Sequence, residues 1–376
     1  MSRVFAPTES GSHVAASARP FLRPPRLQTP ARTKNTDRFF FTVATRCASD
    51  SEASASDAPA KATVAEDVSA ASDTKDLQGG RMLYNPESYE VLVKDATNAV
   101  LKALDAGETR LEVEFPPPGG ENSYKSSSED SIDANIQLAL AGATQLAEAG
   151  RKVRVLLADS VELGVAEKKY TYKLEVTDNV AFGHTREGMP ALEWMRERKI
   201  PPESTEADTY IVISHSTVEL PSIEAYAKEI VGDKPLILWN LQLDTLRADL
   251  GLFGFPGQDV QFRFLSQFRP VFYLRQRDYS KSIAVVPFLV NYSGALFREY
   301  PGPWQVMLKQ DDASYACIAE DGVRFTLYDV KEELLEAMGL NTEEEGSTMA
   351  FLRRGYKRST WWEDAVAEEE STRWRT

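Results

Sequence analysis

The sequence predicts an α/β protein: a Rossmann-like open, mostly parallel sheet with helices on both faces, continued by an antiparallel, β-rich C-terminal half. Two observations support this prediction. Before residue 250, short apolar runs such as VRVLLAD and PLILWNLQL alternate with helical segments, which is typical of strands buried on both faces of a parallel sheet. After Gly251 the pattern changes to short strands separated by turns.

The predicted domain opens with a helix, a strand and a second helix. Residues 86–107 begin with a proline and end with a glycine, and their apolar side chains recur at helical spacing. LEVEF at 111–115 is the predicted first strand, and Gly150 closes the helix that follows it. The candidate N-terminal caps of that second helix are Ser128, Asp130 and Ser131.

Three nearly all-apolar runs are the predicted central strands: VRVLLAD, TYIVISHS at 209–216 and PLILWNLQL. A helix with Pro221 in its first turn separates the last two. Strand, helix and strand joined by short connections predict right-handed crossovers and a doubly wound sheet. The G-x-G-x-x-G fingerprint of dinucleotide-binding folds is absent.

The C-terminal half is predicted to be mainly strands. Its strand candidates are RPVFYLRQ, SIAVVPFLVNYS, WQVMLKQ, YACIAE and VRFTLY. WQVMLKQ and SYACIAE lie on either side of DDA, which predicts an antiparallel hairpin. DVKEELLEAMGL is a predicted amphipathic helix, capped by Asp329 and ended by Gly339. We expect this half to continue the same sheet, because no linker-like composition separates the halves.

Composition divides the chain into four predicted segments. Residues 1–47 carry eight Lys or Arg and two acidic residues, a net charge of +6, and are rich in Ser, Thr and Ala, which predicts a chloroplast or mitochondrial transit peptide; a basic tail is the alternative. Residues 48–80 are a predicted flexible linker of Ala, Ser and acidic residues. Residues 81–340 form a predicted single α/β domain, and 341–376 a C-terminal tail.

Charge argues against a nucleic-acid partner, and hydropathy argues against a membrane span. The whole chain has a formal charge of -14, so the remainder after residue 47 carries -20, which should repel a nucleic-acid backbone. No run of about 18 apolar residues predicts a membrane span, so we expect at most peripheral membrane contact.

The loop PPPGGENSYKSSS, between the first strand and the second helix, superficially resembles a phosphate-binding loop. Its glycines and lysine do not have the order of a P-loop, and its three prolines remove backbone donors. Acidic residues at 129, 130 and 133 already occupy the helix N-terminus. We predict a connection or partner surface here, and no nucleotide cofactor.

The carboxyl ends of the predicted parallel strands are where an open α/β sheet keeps its ligands. The polar cluster best placed there is His215 with Ser214 and Ser216, although a capping or surface role for the histidine is the alternative. The candidate ligand edge comprises Ser126, Ser128, His184, Ser214, His215 and Asn240.

Patterns that mark catalysis are missing from the sequence. Neither G-x-S-x-G nor H-E-x-x-H occurs, and His and Cys lack the spacing of a zinc site. We predict no catalytic, cofactor-binding or metal-binding residues, while an enzymatic function stays open.

Two regions have the composition of protein interfaces, in which aromatic residues and Arg are enriched. Residues 239–269 combine aromatic side chains with arginines, and the tail places basic residues before a pair of tryptophans. Packing in the core, or folding of the tail back onto the body, is the alternative. The candidate partner surface comprises Arg247, Arg263, Arg269, Trp361 and Trp362.

The segment YNPESYEVLVKDATNAVLKALDAGETRLEVEFP resembles the opening of the plastid family catalogued as domain of unknown function 1995. That family includes the low photosystem II accumulation assembly factors and the C-terminal extension of a chloroplast adenylate kinase. The similarity spans about residues 83 to 364 and is greatest to the brassinazole-insensitive pale green type. The segments that resemble this type are FGHTREGMPALEWM, LILWNLQLDTLRADLG, NYSGALFREYPGPWQVMLK and FLRRGYKRSTWWE.

The resemblance implies a location and a process. It suggests a protein of the chloroplast stroma, with loose thylakoid association as a further expectation, needed for chloroplast development or the photosynthetic apparatus. It supplies no catalytic residues. Two functions follow: an auxiliary factor that contacts chloroplast proteins such as photosynthetic-complex subunits or assembly factors, or a ligand-binding or enzymatic protein with a site at the sheet edge.

Overall fold

The computed structural model describes residues 79–116, 128–174, 177–186, 202–282, 288–340 and 359–376, all within one compact unit. A ten-stranded sheet runs through this part of the chain. Its strands are β1 Leu83–Tyr84, β2 Arg110–Glu114, β3 Val153–Leu157, β4 Val180–His184, β5 Thr209–Val212, β6 Leu236–Trp239, β7 Arg269–Ser282, β8 Leu289–Glu299, β9 Trp304–Lys309 and β10 Tyr315–Asp321.

Helices flank this sheet in the described residues. They are α1 Tyr89–Asp105, α2 Ser128–Glu148, α3 Ser160–Leu174, α4 Pro202–Glu206, α5 Leu220–Tyr226, α6 Leu243–Asp249, α7 Asp259–Arg263, α8 Leu327–Ala337 and α9 Trp361–Asp364. None of them is both long and apolar enough to cross a membrane.

The strand order is β1-β10-β9-β8-β7-β2-β6-β5-β3-β4. From β7 to β4 all neighbours are parallel, and from β7 to β1 all are antiparallel. The predicted fold class, including the antiparallel continuation of the same sheet, is therefore confirmed. The predicted hairpin around DDA is also confirmed, because β9 and β10 pair antiparallel.

The two faces of the sheet bury different residues of the same strands. Ile211 and Ile237 belong to a core with α1, α2 and α3, which we call the first face. Their neighbours Val212 and Leu238 belong to a second core with α5, α6 and α7, on the second face. Alternate side chains point to opposite faces of a strand, so burial on both faces explains why these strands are apolar throughout. Helix α8 packs on the second face of the antiparallel strands.

Two predicted strands of the C-terminal half are wrong. SIAVVPFLVNYS is divided between two strands, because β7 continues to Ser282, which pairs with Leu289 of β8. The run contains Pro287, which cannot donate to a ladder, and residues 283–287 lie outside the described part of the chain.

VRFTLY is the second of these errors. Helix α8 begins at Leu327 inside this segment, with Thr326 as its N-cap. The Thr326 hydroxyl accepts from the Asp329 N–H (3.1 Å), and the Asp329 carboxylate accepts from the Thr326 N–H (3.3 Å). This capping box outweighs the β-propensity of the segment, and Asp329 is the third helical residue rather than the cap.

Candidate functional site

The carboxyl edge of the parallel strands is where the fold favours a ligand. Strand β3 is followed by α3 on the first face, whereas its neighbour β5 is followed by α5 on the second face. Adjacent strands whose helices leave to opposite faces create a crevice at their carboxyl ends. His215 follows β5 at this position.

His215 is buried and makes two hydrogen bonds. Its Nδ1 lies 2.7 Å from the Ile213 carbonyl oxygen, and its Nε2 lies 2.8 Å from Thr185 Oγ1. A carbonyl oxygen only accepts, so Nδ1 carries the proton in this bond. Burial lowers the pKa of His215 below its ordinary value. The neutral ring therefore accepts from the Thr185 hydroxyl at Nε2, and this contact ties β5 to the end of β4.

Amide side chains extend the polar contacts across the remaining strands. Asn240 Oδ1 accepts from the Phe115 N–H at the end of β2 (3.4 Å), and Asn240 Nδ2 donates to Asn135 Oδ1 on α2 (3.3 Å). Asn135 Nδ2 donates to Ser214 Oγ (3.5 Å). We call Asn135, Thr185, Ser214, His215 and Asn240 the polar arc. It connects the ends of β2, β6, β5 and β4.

The backbone at this edge has an uncommon conformation. Ser214, Asn240 and Gln242 have φ of 56°, 52° and 54°, in the left-handed region. Such residues concentrate at functional sites, and each costs on the order of 1–3 kcal/mol unless, as for Asn, the side chain tolerates the region. The end of β5 and the end of β6 are thus held by their surroundings.

The charges beside the polar arc are mainly acidic. Asp159 caps α3 by accepting from the N–H groups of Val161 (2.9 Å) and Glu162 (3.1 Å), which lowers the pKa of Asp159. Arg186 lies between Asp159 (3.9 Å) and Glu219 (3.5 Å). Two carboxylates neutralise this guanidinium, so the edge suits a neutral or cationic ligand better than a phosphate.

The other predicted edge residues are less informative. His184 ends β4 and is half-buried, one residue before Thr185. Ser128 is the first residue of α2. Ser126 lies outside the described residues. The structure therefore brings Ser214, His215 and Asn240 into one arc, joined by Asn135 and Thr185, which the sequence did not indicate.

A buried ion cluster on the second face was also missed. Asp244 Oδ1 accepts from Arg247 Nη1 (3.0 Å), and its Oδ2 accepts from Arg324 Nη2 (2.8 Å) and Tyr273 OH (3.1 Å). These arginines hold the pKa of Asp244 well below its usual range, although burial opposes them. Arg247 is three residues from Asp244 on α6, but Tyr273 on β7 and Arg324 before α8 are distant in sequence, so local spacing does not reveal the cluster.

Glu112 lies in the same cluster but in a different environment. Neither of its carboxylate oxygens accepts a hydrogen bond from the described residues, and its cation neighbour Arg247 Nη2 is 3.8 Å away. Burial raises the pKa of Glu112 to about 7. The pKa values of these two buried carboxyl groups are therefore shifted in opposite directions, because of the two only Asp244 has hydrogen-bond donors close to its oxygens.

The predicted partner residues are largely occupied within the fold. Arg247 is fully buried, so it does not reach the surface. Arg263 binds Glu224 (2.7 Å) and Arg269 lies 3.3 Å from Glu108. Trp362 is buried, and Trp361 is half-buried against the core of the second face. Of the two alternatives for the tail, the structure thus shows the tryptophans folded back onto the body.

A different part of the 239–269 region is exposed. The loop between α6 and α7, residues 251–257, carries three exposed apolar side chains, and we call it the knuckle. Phe253 is fully exposed, Leu252 is 55% exposed and Phe255 is 40% exposed. Phe264 and Phe268, a few residues later, are buried. The glycines and proline of GLFGFPG are the sequence signal that distinguishes these two groups.

The knuckle is closed by its own hydrogen bonds. The N–H groups of Gly251 and Phe255 donate to the carbonyl oxygens of Pro256 (2.8 Å) and Leu252 (3.1 Å). Gly251 has φ of 83°, which glycine adopts without strain. The loop therefore has a defined conformation that presents its apolar side chains to solvent.

The chain matches a protein-family model. The model of a domain of unknown function, DUF1995, matches residues 86–332, well over half of the chain. The chain belongs to the DUF1995 family. The match begins just before α1 and ends within α8, so the DUF1995 region contains the polar arc, the ion cluster and the knuckle. No curated protein matches the sequence.

Proposed function

We propose that this DUF1995 protein is a non-catalytic plastid auxiliary factor that acts by protein contact, with the knuckle as its contact surface. The single observation that carries the proposal is the exposure of Leu252, Phe253 and Phe255 on a hydrogen-bonded loop. Contiguous exposed apolar side chains mark interaction sites, whereas singly scattered ones do not. Burying one phenylalanine at an interface contributes about 1.5–3 kcal/mol.

Charge around the knuckle indicates what its partner looks like. Asp249 and Asp259 lie at its two ends, and residues 248–259 contain no basic side chain. An anionic lipid surface would repel this region, since such surfaces attract basic segments. An apolar pocket bordered by Lys or Arg on a partner protein would complement it.

The plastid setting of the proposal is supported by composition and resemblance. Residues 1–47 have the basic, acid-poor composition of a transit peptide. The segments that resemble the brassinazole-insensitive pale green type support action in chloroplast development or photosynthetic-complex biogenesis. We place the mature protein in the stroma, with peripheral association to thylakoids.

The test is comparative affinity purification from stroma and salt-washed thylakoids. The baits are residues 48–376 in natural form, the double variant Phe253→Ser with Phe255→Ser, and Tyr172→Ser, a control on α3 that also removes an exposed aromatic ring. We expect the natural chain and the control to recover the same plastid protein in equal amounts. The double variant should recover at least about tenfold less of it, because a loss of 1.4 kcal/mol in binding free energy lowers the affinity about tenfold. Equal recovery by all three baits would overturn the proposal.

The polar arc favours a second function, the binding of a small neutral or cationic ligand at the carboxyl edge. Asn135 and Asn240 are amides with further donor and acceptor capacity, and their contacts are long for hydrogen bonds. A ligand should raise the melting temperature of the natural chain but not that of Asn135→Ala. A panel of neutral and cationic metabolites that leaves both melting temperatures unchanged would count against this function.

A further inference from the structure

We infer that the C-terminal segment 359–376, which we call the clasp, holds the two helices that carry the knuckle and so controls whether the knuckle can dock. This inference rests on the proposed function. Helices α6 and α7 have seven and five residues. Helices this short are not stable by themselves, so their positions depend on tertiary contacts. The clasp supplies contacts to both.

The clasp contacts α6 through Trp374. This side chain is buried, and the Arg247 guanidinium lies over its ring, 4.7 Å from the centroid. Arg247 in turn donates to Asp244 (3.0 Å) and to Gln261 Oε1 (2.9 Å). Gln261 belongs to α7, so one arginine beneath Trp374 joins the two helices that precede and follow the knuckle.

The clasp contacts α7 through Glu369 and the backbone. Gln261 Nε2 donates to Glu369 Oε1 (3.0 Å), and the Glu370 N–H donates to the Phe262 carbonyl oxygen (2.9 Å). The ring of Trp361 meets the ring of Phe262 edge to face, with centroids 6.1 Å apart. Three independent contacts thus fix α7.

Glu369 also closes the clasp on itself. Its Oε1 accepts from Trp374 Nε1 (2.8 Å), and its Oε2 accepts from Arg375 Nε (3.1 Å). Arg375 donates to the carbonyl oxygen of Trp362 (2.8 Å). The Glu369 carboxylate is the common acceptor of these groups, so its removal should loosen both the clasp and α7.

The clasp is anchored to the antiparallel half of the sheet. The carbonyl oxygen of Arg375 accepts from Trp304 Nε1 on β9 (3.0 Å) and from the Arg324 N–H (2.7 Å). Glu363 Oε1 accepts from the Leu327 N–H at the start of α8 (3.0 Å). The clasp therefore ties the knuckle helices to rigid strands, and a competitor that displaced it would release them.

Hydrogen–deuterium exchange of the full chain tests the inference without a partner. The variant is Glu369→Ala, and the control is Glu368→Ala, an equal charge change at the exposed neighbouring residue. We expect the amides of Gly251 and Phe255, which are hydrogen-bonded within the knuckle, to exchange at least tenfold faster in Glu369→Ala only. The amides of β3 should be unchanged. Where Glu369→Ala lowers the exchange protection of β3 as well, Glu369→Gln, which keeps an acceptor, takes its place.

Partner recovery separates the inference from the function on which it rests. We expect Glu369→Ala to lower knuckle-dependent recovery about tenfold, while Glu368→Ala does not. Unchanged exchange in the knuckle overturns the clasp inference. If the knuckle amides exchange faster in Glu369→Ala but the knuckle substitutions do not change partner recovery, the two proposals separate. The clasp is then supported as the element that holds α6 and α7, and the knuckle is overturned as the docking surface.

Discussion

Replacing Glu112 by Gln should stabilise the protein at alkaline pH. Glu112 is buried on β2, with no hydrogen-bond donor to its carboxylate among the described residues. Its pKa is raised to about 7 in the folded state, against 4.5 for an ordinary glutamate. A group with a raised acid pKa binds more protons when folded, so between these two values stability falls as pH rises. Above pH 7 the charged Glu112 carboxylate lowers the unfolding free energy by its full amount, and below pH 4.5 it does not lower it.

The size of the effect follows from the shift. Each pKa unit corresponds to about 1.4 kcal/mol, so a shift from 4.5 to about 7 corresponds to about 3 kcal/mol. Gln has the shape of the protonated acid and no charge to bury. We therefore expect Glu112→Gln and the natural chain to have similar unfolding free energies near pH 5. Near pH 8 the variant should be more stable by up to about 3 kcal/mol.

Urea unfolding at pH 5, 6, 7 and 8 measures this difference. The control is Glu148→Gln at the exposed end of α2, which should change the unfolding free energy by no more than about 0.5 kcal/mol at every pH. A Glu112→Gln variant that is less stable than the natural chain at pH 8 would contradict an unfavourable charge on buried Glu112, and so would a stability difference that does not grow from pH 5 to pH 8.

Three further substitutions test the packing and the ion cluster, each by urea unfolding at pH 7. Gly142→Ala should cost about 1–3 kcal/mol, because its Cβ would lie 2.6 Å from Trp239 Cη2; no loss would mean that the ring moves freely. Trp362→Ala should cost about 3–5 kcal/mol by emptying a buried site, and a loss below 1 kcal/mol would show an exposed tail. Asp244→Asn should cost about 3–5 kcal/mol, since buried arginines lose their counter-ion; a neutral result would contradict the buried pairing.

The parallel part of the fold is predictable from sequence because a strand that is buried on both faces is a continuous run of apolar residues. Strands β3, β5 and β6 are almost wholly apolar, whereas a half-exposed helix has polar residues at regular intervals. The strand prediction for VRFTLY was wrong because its last residues begin helix α8 with a capping box, a side-chain interaction that outweighs strand propensity. Local propensity decides an element only where no such specific contact competes.

The candidate site was predictable only where the fold itself dictates position. Ser214, His215 and Asn240 were found because they lie in the C-terminal parts of predicted strands, and carboxyl ends of parallel strands share one edge. Asn135 lies on a helix, and Thr185 follows the short edge strand β4, so neither had such a marker. The ion cluster joins Glu112, Asp244 and Arg324 across more than 200 residues, which only the tertiary structure brings together.

The fate of the aromatic residues decides which surface is available to a partner. A pair of exposed tryptophans would be costly without a partner, and Trp361 and Trp362 avoid this cost by packing on the body of the same chain. Phe253 has no such cover from the part of the chain that the structure describes, because it stands on a loop that is closed by hydrogen bonds between its own backbone groups. The same physical cost therefore applies to the knuckle, and an apolar pocket on another protein would remove it.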